Sequence, residues 1–231
     1  MADALRNTLS CDFRSCAALE FVMSLTAAPV LHRLIPRRTQ ETTAFGYEVV
    51  ARNESVDDCV GTVQWIDCWC PDAAQFILVS ASPDLNAASA RSVVRAIGES
   101  HLRPKIFLVC RPNALEDPKL LEILRRQAIG CLLATGDPGE LATHAAKGIL
   151  GVHVSADDLA HPDALKGSHR AREVIEVAHD SGMRSIVSQT TSPESVGELL
   201  GLGFDYASQR DGGFTPPEPS FAWRSRLAHR R

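Results

Sequence analysis

Apolar residues in this chain fall in short runs that alternate with amphipathic segments from residue 31 onward. Short apolar runs are typical of buried strands, and the amphipathic segments between them are typical of covering helices. The alternation therefore predicts an α/β fold in which helices wrap a largely parallel sheet. Eight strands are predicted, at Leu31–Arg37, Gly46–Arg52, Phe76–Ala81, Lys105–Cys110, Cys131–Thr135, Ile149–Ser155, Ser185–Gln189 and Phe204–Ala207.

Helix boundaries can be read from caps, prolines and glycines. Ser55 with Asp58 resembles a capping box and predicts a short helix before residue 74. A polar residue followed by proline predicts helix starts at Ser82–Pro83, Asp137–Pro138 and Ser192–Pro193. Left-handed residues that end helices are expected at Gly130, Gly182, Gly201 and Gly203.

The first two predicted strands are separated only by residues 38–45, which show no helical pattern. A right-handed helical crossover needs a longer connection, so we expect these two strands to pair antiparallel. All later connections are long enough for a helix. The sequence thus predicts a (β/α)8-like TIM barrel with an antiparallel first strand, and ligand chemistry at the carboxyl ends of its strands.

Three regions are predicted: a helical N-terminal extension over residues 1–28, the barrel over 29–219, and a basic tail over 220–231. Prolines before the tail predict a stiff, extended connection. The tail contains four arginines, and its contact with a partner is an open alternative to simple solvation. These arginines are Arg224, Arg226, Arg230 and Arg231.

Composition narrows the classes of function. The 231 residues are 45% apolar, which is enough for a folded core and excludes disorder of the whole chain. The net charge of −4 argues against a partner that is a nucleic-acid polymer. No apolar run is long enough for a spanning helix, so we expect a cytoplasmic protein with no membrane contact. Seven cysteines without a CxxC pair predict reduced, buried thiols and no metal or cofactor bound by them.

Several segments resemble the motifs of EAL domains, the barrel phosphodiesterases that linearise cyclic di-GMP. Gly46–Arg52 reads GYEVVAR and resembles the family's GYEALLR signature. The resemblance spans residues 31–219 and implies the family's EAL-type barrel, whose first strand is antiparallel. Further matching segments follow in the family's order: Phe76–Pro83, Ser185–Thr190 and Leu202–Ala207.

The resemblance also implies a divalent-metal site, and here the sequence departs from the family. Such ions need several oxygen ligands, and Glu48 keeps the signature carboxylate. Its companions have changed, so we expect a degenerate domain with no metal, no cofactor, no catalytic residues and no phosphodiesterase activity. The replacements are Ser80 for a ligand Asn, apolar Phe107–Val109 for a strand with a ligand Glu, Ala134 and Thr135 for paired Asp, His153 near a catalytic Lys, and Gln189 for a ligand Glu.

The remaining candidate site is a nucleotide-binding or vestigial mouth formed by Arg33, Glu48, Arg52, Ser80 and Gln189. Arg33 lies near the family's nucleotide-contacting Gln, and guanidinium groups can hold phosphate bidentately. Glu48 has a second interpretation, because an ion pair with Arg33 or Arg52 would also explain a carboxylate at a strand end.

Three functions follow from these expectations. The first is a catalytically inactive, regulatory protein-binding module in bacterial cyclic di-GMP signalling, with a protein partner or a homodimer. The sequence shows no cyclase, sensor or membrane segment, which favours docking as the mode of action. The second is a receptor that binds cyclic di-GMP without cleaving it. The third is an unrelated barrel enzyme, because barrels support many chemistries.

Overall fold

The computed structural model describes residues 30–37, 46–50, 55–69, 75–160, 164–190 and 193–209. All eight predicted strands are present within these ranges, with ends that differ by a few residues. The strands are β1 (Val30–Pro36), β2 (Gly46–Val50), β3 (Phe76–Ser80), β4 (Ile106–Cys110), β5 (Gly130–Ala134), β6 (Gly151–Ser155), β7 (Arg184–Thr190) and β8 (Tyr206–Gln209).

Helices follow β2 and every later strand up to β7. Two of them have only four residues, and the longest packs against β7. The helices of the described residues are α1 (Val56–Trp69), α2 (Ala90–Glu99), α3 (Pro112–Leu115), α4 (Pro118–Arg126), α5 (Pro138–His144), α6 (Ala156–Leu159), α7 (Ala164–Asp180) and α8 (Pro193–Leu202), with 3₁₀ turns at Arg103–Lys105 and Ala145–Lys147.

The strands form a closed barrel in chain order, from β1 to β8. β1 is antiparallel to both of its neighbours, β2 and β8, and the other pairs are parallel. This confirms the predicted antiparallel first strand. Because β2 to β8 run in the same direction, their carboxyl ends meet at one mouth of the barrel.

Alternation of side chains along the strands produces two cores. Outward residues such as Val79, Leu108 and Val154 pack against the helices and form the larger core. The barrel interior holds a smaller apolar cluster of Leu34, Leu78, Val109, Leu132 and Ile186. Phe76 sits edge-on to Phe107 and Tyr206 at the amino end of the interior, with ring centroids 6.4 and 5.1 Å apart.

Asp205 ties the amino ends of β7 and β8 together. Its carboxylate accepts hydrogen bonds from the Ser185 backbone N–H at 3.0 Å and lies 3.2 Å from His179 Nε2. Asp205 N–H is bonded in turn to Ser185 Oγ at 3.1 Å. These contacts lie at the end of the barrel opposite the mouth, where they stabilise strand pairing.

The cysteines that are described are free and buried, as the sequence predicts. They are Cys59, Cys110 and Cys131. Burial raises the pKa of Cys59 to about 12, although a backbone hydrogen bond near Ser82 opposes the rise. This thiol is therefore inert at neutral pH.

The helix signals were confirmed in part. The capping box of α1 is present: Ser55 Oγ accepts from Asp58 N–H at 3.1 Å. The helix start at Ser82 was wrong, because residues 82–89 form turns and α2 begins at Ala90. Asn86 explains the delay, since its side-chain oxygen accepts from the N–H groups of Ala88 and Ser89 and so competes with helix formation.

Gly182 and Gly203 have positive φ angles of 70° and 130°, as expected for helix ends. Gly130 and Gly201 do not: Gly130 begins β5 and Gly201 lies inside α8. The predicted extension over residues 1–28 and the tail over 220–231 lie outside the described residues, so both remain predictions.

Candidate functional site: a buried carboxylate at the barrel mouth

Glu48 points into the barrel because of its place in β2. Its neighbours Tyr47 and Val49 face the outer core, so the two-residue period turns Glu48 inward. In register it lies opposite His32 of β1 and beside Leu78 of β3. Glu48 is only 2% exposed, so its carboxylate has lost nearly all contact with water.

Two side chains from other strands bind this carboxylate. His153 of β6, on the opposite side of the barrel, has Nε2 2.8 Å from Glu48 Oε1. Ser208 of β8 donates its hydroxyl to Glu48 Oε2 at 2.6 Å. His153 and Ser208 are themselves buried. Each carboxylate oxygen thus has a protein partner.

The electrostatics favour an ionised Glu48. Burial raises its pKa, but the charge and hydrogen bond of His153, the Ser208 hydroxyl and the charge of His32 together outweigh burial. The pKa of Glu48 therefore lies below its ordinary value. The carboxylate is an internal anion that the protein's own side chains hold by hydrogen bonds.

Two further serines lie at the carboxyl ends of β7 and β3. Ser188 follows Ile186 on the inner face of β7 and pairs in register with Ser155 of β6. Its hydroxyl is fully buried and has no hydrogen-bond partner among the described residues. Ser80, at the end of β3, is exposed. The mouth is polar but carries few charges among the residues described.

Among the side chains that the structure describes, no arrangement fits the divalent metals that the EAL resemblance implies. Hard cations need several oxygen ligands that converge on one point. Both Glu48 oxygens already accept hydrogen bonds, and the described residues contain no group of three or more His, Cys, Asp or Glu side chains placed to hold a metal. Ser80 and Ala134 add no carboxylate at the neighbouring strand ends.

The five predicted site residues have different outcomes. Glu48 points into the barrel, and Ser80 lies at the end of β3. Arg33 pairs through its backbone with Tyr47, and Gln189 lies on β7, but their side chains are outside the description. Arg52 lies outside the described residues altogether. A nucleotide-binding role for this group remains a prediction.

The described side chain that contacts Glu48 from across the barrel is His153. The predicted ion pair of Glu48 with Arg33 or Arg52 is not tested, because both of those side chains lie outside the described part of the chain. Sequence analysis noted His153 as a replacement for a lysine but did not include it in the site. Ser208 and His32 were missed entirely. The sequence signal that could have identified these residues is a His or Ser at an inward-facing position of a predicted strand.

Among the residues whose structure is described, no helix combines the length and the hydrophobicity that a bilayer crossing requires.

Comparisons with known proteins identify solved structures that share this fold. No family model matches the sequence, and no curated protein matches it. Solved structures do match. The EAL domain of DcpA from Mycobacterium smegmatis superposes with a TM-score of 0.62 at 16% identity, covering 79% of this chain and 89% of that one.

Two further structures agree. PaMucR phosphodiesterase, solved as a c-di-GMP complex, gives a TM-score of 0.60 at 14% identity over 89% of this chain and 98% of its own. A standalone EAL protein from Vibrio cholerae O395, in a c-di-GMP-bound form, gives 0.57 at 13% identity over 81% and 92%. The chain therefore has the fold of EAL domains, as its sequence predicted.

Proposed function

We propose that this EAL-like barrel does not hydrolyse cyclic di-GMP and acts as a cytoplasmic regulatory module in cyclic di-GMP signalling by binding a protein partner. The observation that carries the proposal is the state of Glu48. Its two oxygens accept hydrogen bonds from His153 and Ser208, at 2.8 and 2.6 Å, inside a closed barrel.

Metal-assisted hydrolysis of a phosphodiester needs ions that activate water and neutralise the developing charge. Glu48 could offer such a site only the lone pairs that His153 and Ser208 leave free, and one carboxylate does not supply the several oxygen ligands that hard cations need. The other strand ends supply a hydroxyl at Ser80 and a methyl group at Ala134 in place of anionic ligands. The fold persists because its packing depends on the apolar cores and not on these positions.

The link to cyclic di-GMP comes from the compared proteins. PaMucR and the Vibrio cholerae protein were each solved with this nucleotide, and both share the barrel of this chain. A barrel that keeps this shape without the metal ligands can still transmit information by docking to another protein.

The first test is hydrolysis. Purified full-length protein is incubated with cyclic di-GMP and Mg²⁺ or Mn²⁺, and the linear product is measured by chromatography with PaMucR phosphodiesterase as the positive control. We expect no product above the buffer blank. Cleavage by a preparation free of other phosphodiesterases, lost in Glu48→Gln, would overturn the proposal.

The second test concerns the partner. Tagged protein is used to capture interacting proteins from cells that express it, and light scattering measures its oligomeric state. We expect a stoichiometric protein partner or a homodimer. A monomer that captures no protein in stoichiometric amounts contradicts the docking role.

A second candidate, a receptor that binds cyclic di-GMP without cleaving it, is favoured by the exposed Ser80 and the unpartnered Ser188 hydroxyl at the mouth. Calorimetry with the nucleotide, with and without Ca²⁺ or Mg²⁺, distinguishes the two functions. A receptor gives saturable heat that Arg33→Ala or Arg52→Ala weakens and that Arg172→Ala, an exposed change on α7, leaves unchanged. Absence of heat at high micromolar protein excludes the receptor.

A further inference from the structure

A groove lies outside the barrel between the helices that follow β6 and β7. Its volume is about 640 Å³, within the range of about 300–1,000 Å³ that is usual for binding pockets. The only two charged residues among its described lining, Asp157 and Glu198, are both acidic and exposed. Its apolar lining comes from α6, α7 and α8 and includes Leu159, Ala171, Leu199 and Leu202.

The described part of the chain stops beside this groove. Thr190 lines the groove and pairs in register with Gln209, the last residue of β8. Thr190 also donates its hydroxyl to the Ser208 carbonyl at 2.6 Å, which fixes the end of β8 against β7. The chain that continues after Gln209 therefore starts at the edge of the groove.

That continuing chain has a chemistry complementary to the groove. Residues 221–231 combine apolar side chains with four arginines, whereas the groove is apolar with an acidic rim. Phe221 follows Gln209 by twelve residues, which can span roughly 40 Å when extended. The apolar members are Phe221, Trp223 and Leu227, and the cations are Arg224, Arg226, Arg230 and Arg231.

We propose that residues 221–231 of this same chain dock in the groove between α6, α7 and α8. Trp223 and Phe221 bury their rings against the apolar floor, since aromatic side chains gain most from such burial. The arginines face Asp157 and Glu198 at the rim and fix the orientation of the segment. The inference is independent of the proposed function, because it concerns a surface outside the barrel mouth.

Photo-cross-linking in the full-length protein tests this contact. The photoreactive residue p-benzoylphenylalanine replaces Ser168, a half-buried residue of α7 that lines the groove. After irradiation, peptide mass spectrometry locates the attachment. We expect an intrachain cross-link to residues 221–231 in protein of monomer mass. The matched control places the probe at Glu173, an exposed residue of α7 that does not line the groove, and yields no such cross-link.

Charge variants add a second measurement. Glu198→Lys lowers the cross-link yield by about threefold or more, whereas Glu173→Lys on the neighbouring helix leaves it unchanged. The double variant Arg224→Glu with Arg226→Glu changes the docking segment and leaves the groove intact, and it is expected to lower the cross-link yield in the same way. It therefore tests the contact even if Glu198→Lys fails to fold. The proposal is overturned if Ser168→p-benzoylphenylalanine attaches elsewhere, or attaches to residues 221–231 only of a second chain.

Discussion

At the scale of single residues, the barrel interior is organised around one buried anion. Removing a carboxylate from water costs several kcal/mol, and partners must offset that cost. His153 and Ser208 do so at 2.8 and 2.6 Å. Such a pair adds little net stability compared with apolar residues, yet loss of one partner is expensive because the other charge stays buried.

His153→Ala is therefore expected to lower the free energy of unfolding by about 3–5 kcal/mol, because it leaves Glu48 unpaired in the interior. Urea unfolding at neutral pH measures the change. Adding Glu48→Gln to His153→Ala removes the unpaired charge and is expected to recover at least about 1 kcal/mol. His169→Ala, at a histidine whose side chain is 81% exposed, serves as the control and changes stability little. A double variant no more stable than His153→Ala contradicts the assignment.

The lowered pKa of Glu48 predicts a specific pH dependence. Burial alone raises that pKa, but His153, Ser208 and His32 together bring it below its ordinary value. A depressed folded-state pKa contributes stability that is present above the unfolded pKa and is lost as the pH falls through the folded pKa. Glu48→Gln is thus expected to flatten the loss of stability as the pH falls below about 5. The free energy of unfolding is measured by urea titration at each pH. Wild-type and Glu48→Gln curves of this free energy against pH that run parallel would contradict the assignment.

At the scale of elements, several glycines are required by close packing and not by turns. An added Cβ at Gly130 would lie 2.5 Å from the Phe107 ring, which explains glycine at the start of β5. The left-handed residue of that connection is Ala128, with a φ of 53°. Sequence analysis placed the left-handed residue at Gly130 because glycine favours that conformation, and the competing demand of strand packing was invisible to it.

Gly151 and Gly98 provide a matched pair that tests whether close packing requires glycine. A Cβ at Gly151 would approach the Arg184 carbonyl oxygen to 2.6 Å, whereas one at Gly98 of α2 meets nothing within 4 Å. Gly151→Ala is expected to cost about 1–3 kcal/mol through overpacking, and Gly98→Ala to add about 0.5 kcal/mol through helix propensity. Thermal unfolding of both variants measures these changes in stability. Equal changes in the two variants would contradict the packing role of Gly151.

At the scale of the whole molecule, the fold could be predicted from local pattern. Apolar runs predicted the eight strands, and the short connection after β1 predicted that β1 pairs antiparallel with β2. The site could be predicted only in part, because its contacts join residues far apart in the chain. Glu48 is separated by 105 residues from His153 and by 160 from Ser208, and strand periodicity does not say which inward residues meet.

Calorimetric titration of Mn²⁺ and Ca²⁺ into chelator-treated, full-length protein shows whether the barrel mouth still accepts cations. Because the described residues place no group of three or more His, Cys, Asp or Glu side chains around a possible ion, we expect no saturable heat up to about 1 mM of either ion, the weak end of the range for protein calcium sites. Saturable binding of one or two ions per chain at micromolar concentration, abolished by Glu48→Gln, would contradict the account.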